Sequence, residues 1–166
     1  CIATKMIVTW SGWPQRGEFL DRIERVLASL PRRQAYYPGA IARYERFTGR
    51  AADSDDGTLP WTLLRDVQPT RAPLLFDEES FCCVAAETAL PVADARQFVD
   101  QVADFVNRRC WGTLGAGVMV HPSSRREQGD RARLERLIDR LRYGTVAINH
   151  WPGLAFGMMS CPWGGY

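Results

Sequence analysis

Cysteine is the side chain in this sequence best suited to covalent chemistry, because its thiolate is nucleophilic near neutral pH and leaves readily. There are five: Cys1, Cys82, Cys83, Cys110 and Cys161. The number is odd and the spacing irregular, so neither a disulfide framework nor a zinc pattern fits. A reducing, cytoplasmic setting is the expectation. By residue type alone Cys1 is open to two readings, a nucleophile or a small core residue. Cys82 and Cys83 are expected side by side on a strand, pointing to opposite faces, which argues against a shared metal or a disulfide. The two histidines, His121 and His150, are too few for a histidine-rich metal site, and no metal is expected. Gly112, Gly115 and Gly117 lead into a strand, whereas a dinucleotide fingerprint leads from a strand into a helix. A tight turn is the expectation there. Glu78 and Glu79 read as a solvated acidic turn. The stretch Gly49 to Thr58 is superficially similar to a calcium loop, but Gly57 falls where the third oxygen ligand belongs, so a polar loop is expected.

The elements that must position these residues show two periodicities. Lys5–Trp10, Trp61–Leu64, Phe81–Glu87, Gly115–His121 and Thr145–Asn149 read as strands. Apolar residues recur at helical spacing over Glu18–Leu30, stopped by Pro31, and over Asp94–Asn107 and Asp130–Leu141. A shorter helix is expected at Gly39–Phe47, and Trp151–Tyr166 reads as a Gly- and Pro-rich loop. Strands alternating with amphipathic helices predict an α/β fold, a three-layer αβα sandwich around a mostly parallel sheet. The helices should flank one sheet built from Lys5–Trp10, Phe81–Glu87, Gly115–His121 and Thr145–Asn149. Functional loops of such sheets lie beyond the carboxyl ends of the strands.

At 166 residues the chain is one domain's worth, residues 1–166, and long enough to bury a core. Its net charge of +2 comes from bases scattered among acids, so neither nucleic acid nor an anionic membrane surface is expected as a partner. No run of eighteen apolar residues predicts a transmembrane helix.

Several segments carry a sharper signal through their order. The opening CIATKMIV leads into an amphipathic helix. TLLRDVQPTRAPLLFDEESF, Thr62 to Phe81, ends in Glu79-Ser80-Phe81. A helix ending in Asn107 is followed by TLGAGVMVH. RLIDRLRYGTVAIN, Arg136 to Asn149, is a helix, a glycine turn and a strand closed by asparagine, and PWGGY spans Pro162 to Tyr166. In this order, over almost the whole chain, they resemble the catalytic-cysteine half of the NAD(P)-dependent aldehyde dehydrogenase superfamily. The Glu-x-Phe motif, the Gly-rich strand and the Pro-Phe-Gly-Gly loop are the family's counterparts.

The resemblance implies the C-terminal-domain fold of that family and assigns Cys1 as the nucleophile. The thiol adds to an aldehyde to form a hemithioacetal, hydride leaves to a nicotinamide, and water hydrolyses the thioester. It implies that Glu79 accepts hydrogen bonds from the nicotinamide ribose hydroxyls of NAD or NADP and that Phe81 packs near the ring. Asn149, Pro162 and Trp163 would support the substrate pocket, and Cys1, Glu79, Phe81 and Asn149 would gather at one edge of the sheet. The implied partners are a small-molecule aldehyde and, in the full-length protein, further copies of the same chain. Departures exist. Cys82 and Cys83 stand where the family has Gly-Pro, and Trp163 replaces phenylalanine. Because the chain begins at Cys1, a fragment is expected, lacking the upstream general-base glutamate, the oxyanion asparagine, the Rossmann-type domain and the C-terminal tail, and inactive alone. Two alternatives stay open: a divergent relative whose domain serves assembly, and a coenzyme-A-acylating enzyme.

Overall fold

The β-branched run after Lys5 and the helix-periodic run after it become the first two elements of a computed structural model that describes residues 3–52, 56–161 and 163–166. The chain divides into two compact units, Ala3–Val92 and Ala93–Tyr166. The first holds β1 (Met6–Trp10), α1 (Arg16–Ser29), β2 (Arg33–Gln34), α2 (Ala40–Thr48), β3 (Thr58–Leu59), β4 (Thr62–Leu64), α3 (Leu74–Asp77) and β5 (Val84–Leu90). The second holds α4 (Ala95–Arg109), β6 (Gly115–Val118), a 3-10 turn (Pro122–Arg125), α5 (Gln128–Arg140), β7 (Thr145–Ile148) and α6 (Leu154–Gly157).

Local chemistry explains where the helices stop and start. Leu30 is extended because the ring of Pro31 disfavours helical backbone before it, and α1 ends there. Gly49, at φ +67°, closes α2 in the left-handed conformation that glycine adopts without penalty. Asp94 starts α4 by accepting the Gln97 backbone N–H at 2.8 Å, while the Gln97 side chain accepts the Ala93 N–H at 2.6 Å.

In the first unit β5 is the middle strand, with β1 and β4 parallel on either side. Leu20, Leu59, Phe76 and Ala86 are buried there. α1 packs on β4 and α2 on β5. In the second unit β6 and β7 pair in parallel, Gly115 opposite Thr145 and Val118 opposite Ile148. α4 packs on α5, burying Val102, Ala103, Leu134 and Leu137. Asn107 ties the two helix ends, donating to the Arg140 carbonyl at 2.7 Å and accepting the Arg142 N–H at 3.0 Å. Three of the four pairings among the described residues are parallel, and only β2 with β3 is antiparallel. This is the expected α/β fold with a mostly parallel sheet.

Three expectations need correction. The strands expected in one sheet fall into separate ladders, β1 and β5 in the first unit and β6 and β7 in the second. The strand expected at Phe81–Glu87 begins at Val84, because Phe81 sits at φ +45° and the Val84 N–H turns back to the Cys82 carbonyl at 2.9 Å. Cys82 and Cys83 therefore precede the strand. The strand expected to reach His121 stops at Val118. His121 instead caps the 3-10 turn, its Nδ1 accepting the Ser123 N–H at 3.3 Å.

Inside the first unit, the Glu87 carboxylate is wholly buried on β5. It accepts the Thr9 hydroxyl at 2.6 Å, the Arg16 guanidinium at 3.0 and 2.6 Å, and the Asp66 backbone N–H at 3.2 Å. The Arg16 guanidinium also reaches Asp66 at 2.5 Å. Removing one partner of a buried pair strands the other, at about 3–5 kcal/mol, whereas an exposed pair is worth about 0–1 kcal/mol. Arg16→Met should therefore lower the urea-unfolding free energy several-fold more than Arg46→Met, whose pair with Glu78 is exposed. Equal losses in the two variants would show that the buried pair carries no special weight.

Candidate functional site

The loop that carries Glu79 and Phe81 hangs between two anchors. Upstream, Leu75 and Phe76 of α3 are buried, and the Lys5 ammonium donates to the Phe76 carbonyl at 2.9 Å. Downstream, β5 enters the sheet. Between them Ser80 is buried, its hydroxyl donating to the Val84 carbonyl at 3.3 Å and its own carbonyl accepting the Arg43 Nε–H at 2.9 Å. With Ser80 tied inward, its neighbours are left outward. Phe81 is 45% exposed, with its ring 5.6 Å from that of Tyr37 and the Arg43 guanidinium 5.9 Å from its centroid. Glu79 is half-buried. Glu78 is paired with Arg46, but the Glu79 carboxylate has no hydrogen-bond or ion-pair partner among the described residues.

Such a carboxylate accepts hydrogen bonds and nothing else, which suits hydroxyl or N–H donors of a ligand. The exposed ring beside it suits a planar group. Burial pushes the Cys82 and Cys83 thiols that follow up from the ordinary thiol range. For Cys82 a hydrogen bond with Ser80 and the charge of Arg43 oppose that rise without cancelling it.

In the second unit Asn149 follows β7 at φ +55°. Its side-chain amide accepts the Val120 N–H at 2.8 Å and donates to the Val120 carbonyl at 2.9 Å. The side chain thus imitates one more rung beyond the end of the β6–β7 ladder. Trp163 stacks edge-on against Phe156 at 5.6 Å. The last residues dock beside the Gly144 turn, where a Cβ on Gly144 would run into the Gly164 carbonyl. Tyr166 donates its N–H to the Thr113 hydroxyl at 3.2 Å. Burial there pushes the neighbouring Tyr143 phenol up to about 12.

Of the residues expected to form the site, Glu79 and Phe81 share one loop of the first unit, and Asn149 and Trp163 lie in the second. Cys1 and Pro162 lie outside the described residues. Among the described residues no cluster of histidine, cysteine, aspartate and glutamate is placed to hold a metal ion, and no helix is long and apolar enough to cross a membrane. Sequence reasoning overlooked Arg43 and Tyr37. A signal for Arg43 existed: it falls three residues after Ala40 and four before Phe47, on the side of α2 that buries Ala40, Tyr44 and Phe47.

No protein-family model and no curated protein sequence matches the chain. Solved structures do. A salicylaldehyde dehydrogenase from Pseudomonas putida G7, complexed with salicylaldehyde, superposes with a TM-score of 0.70 at 18% identity, covering 100% of this chain and 34% of that one. The chain folds like one third of an aldehyde dehydrogenase. The NAD-dependent aldehyde dehydrogenase of Sinorhizobium meliloti is similar at TM-score 0.70 and 16% identity, over 100% of this chain and 33% of that one. The 1-pyrroline-5-carboxylate dehydrogenase from Thermus with bound NAD is similar at TM-score 0.68 and 16% identity, over 100% of this chain and 32% of that one. This chain thus spans about a third of the length of the aldehyde dehydrogenases it matches, and at these identities the likeness is one of fold.

Two expected outcomes follow for the aldehyde dehydrogenase-like second unit. Asn149→Gly removes both bonds to Val120 but tolerates the positive φ, so it should cost about 2 kcal/mol, and Asn149→Ala should cost about 1 kcal/mol more through left-handed strain. Urea denaturation of the pair checks this; equal losses would remove the strain argument. Gly144→Ala should unseat residues 163–166 and cost about 1–3 kcal/mol. Its readout is faster amide exchange at Tyr166, and unchanged exchange would contradict the clash.

Proposed function

We propose that the chain is the cysteine-bearing catalytic part of an NAD(P)-dependent aldehyde dehydrogenase, with Cys1 as its nucleophile and a small aldehyde as its substrate. The observation that carries this reading is the Glu79–Phe81 loop. A carboxylate without a partner stands there next to an exposed aromatic ring held at positive φ, on a fold that aldehyde dehydrogenases share. The Asn149 clamp, the Gly144 turn and the docked Trp163 loop support it as structural parts of the same motif order.

These residues fit a nicotinamide nucleotide. The Glu79 carboxylate would accept hydrogen bonds from ribose hydroxyls, and the Phe81 ring would pack against the nicotinamide. When bound, that group supplies the hydride acceptor. The Cys1 thiol would add across the aldehyde carbonyl, sulfur to carbon and its proton to oxygen; loss of hydride from that carbon and of the hydroxyl proton to water would then leave a thioester on Cys1. Water then releases the acid and returns the thiol. Asn149 fixes the ends of β6 and β7 and touches no reacting atom. Exposed Trp151, Leu154, Phe156 and Met159 support self-association of the protein through the second unit.

Glu79 and Phe81 would engage only one end of a dinucleotide. A few contacts, set against an association entropy of at least about 4 kcal/mol, leave nucleotide binding by the isolated chain weak, and correct placement of reactants is itself worth roughly 7–11 kcal/mol of barrier. The 166-residue chain by itself should therefore form no NADH from aldehydes. In the whole polypeptide that carries it, Cys1→Ser should lower aldehyde-dependent NAD(P)H formation by on the order of 10³-fold or more, with cofactor binding retained. Glu79→Gln should raise KM for the nucleotide. Undiminished turnover in Cys1→Ser, or turnover of about 10 s⁻¹ by the isolated chain, would overturn the reading.

A further inference from the structure

Arg43 is a strongly polar side chain bonded to the Glu79–Phe81 loop that the proposed chemistry leaves unused. It is half-buried on α2, on the side of the helix that carries buried Ala40, Tyr44 and Phe47. Its Nε–H is committed to the Ser80 carbonyl at 2.9 Å, and its guanidinium lies 5.9 Å from the Phe81 ring centroid. These two contacts hold the group in place. Its two terminal nitrogens nevertheless have no hydrogen-bond acceptor or carboxylate among the described residues. Arg46, one turn further along α2, is by contrast paired with Glu78. Glu79, one residue from the carbonyl that holds Arg43, does not pair with it and is likewise without a partner. A cation bonded to the Ser80 carbonyl and lying 5.9 Å from the Phe81 ring centroid, and the carboxylate of the residue before Ser80, thus stand unpaired at one loop.

We propose that Arg43 is a binding residue for a phosphate, so that the Glu79–Phe81 loop takes a nucleoside monophosphate unit and not merely a nucleoside. The proposal rests on the nucleotide reading given above and deepens it. Each chemistry on the loop has one counterpart in such a unit. The carboxylate accepts from the ribose diol, the ring faces the planar base, and the guanidinium donates to phosphate oxygens in the bidentate geometry that suits it. A neutral ligand would satisfy the first two and leave Arg43 idle. A lysine would supply charge without the planar fork that both stacks on Phe81 and bonds Ser80.

The test is titration of the 166-residue chain with nicotinamide mononucleotide and, separately, nicotinamide riboside, followed by amide chemical shifts of residues 79–82. A charge-assisted contact predicts about tenfold tighter binding of the mononucleotide. In Arg43→Gln the preference should fall to about one, with riboside affinity unchanged, which also shows that the loop is intact. Arg43→Lys should keep part of the preference and lose it faster with added salt, as an unstacked point charge does. Equal affinity for the two compounds in the wild-type chain, or a preference that survives in Arg43→Gln, overturns the role of Arg43 and leaves the nucleotide reading standing. If neither compound shifts these amides at any concentration, the nucleotide reading and this inference fall together.

Discussion

One buried carboxylate organises the first unit. Glu87 lies on the middle strand of the parallel sheet with no exposed surface. Taking such a charge out of water costs several kcal/mol unless its lone pairs are met. They are met from three directions: Thr9 on β1, Arg16 at the first turn of α1, and the Asp66 N–H just after β4. Each donor comes from a different element, so none of these elements can slide along β5 without leaving the charge unsatisfied. The Arg16 guanidinium is held charged, its ordinarily high value raised further, chiefly by the hydrogen bond to Glu87 and also by Asp66. Since β5 is the continuation of the Glu79–Phe81 loop, the interaction that pins the strand also fixes where that loop enters the sheet.

Backbone strain follows the same logic. Four non-glycine residues among those described have positive φ: Asp66, Phe81, Asn149 and Met159. Asp66 and Asn149 come just after the carboxyl ends of β4 and β7, and both residue types bear the left-handed region comparatively well. Phe81 has no such tolerance. Holding it there costs about 1–3 kcal/mol, which its contacts with Tyr37 and Arg43 and the bonds that tie Ser80 must offset. A chain selected for stability alone would place glycine or asparagine at this turn. Here the strained residue is an aromatic that keeps 45% of its surface exposed.

The long elements were legible because apolar periodicity reports burial directly. α1, α4 and α5 lie within a few residues of their expected bounds, and β1 and β7 within one. The two-residue strands β2 and β3 and the single-turn helices α3 and α6 escaped, since a window that short holds no full period. The division of the strands into separate ladders was also invisible. Periodicity says which face of a strand is buried, and it is silent on which strand lies beside it. Glu79 and Phe81 were visible through a resemblance of motifs and not through residue type, where Glu79 read only as part of an acidic turn. Glu87 and Arg43 were missed for a shared reason. Each is a charge on an otherwise apolar face, Glu87 within VAAETAL and Arg43 between Ala40 and Phe47, and such a charge signals a committed partner whose identity only the fold reveals.

The motif residues divide by what remains of their polar capacity. In the second unit the side-chain amide of Asn149 is turned onto both backbone groups of Val120. Gly144 is required by the close approach of the Gly164 carbonyl, and Trp163 leans on Phe156. Those groups are consumed in holding shape, so resemblance at these positions speaks to architecture. In the first unit the opposite holds. Ser80 takes up the structural bonds, while Glu79 keeps its acceptors and Arg43 its terminal donors unspent. Unspent polar groups at half-exposed positions are met by water, which a ligand can replace without breaking a bond within the protein. At the loop of residues 79–81 a ligand would meet polar groups without protein partners, whereas at the Asn149 turn it would have to compete with the protein's own bonds.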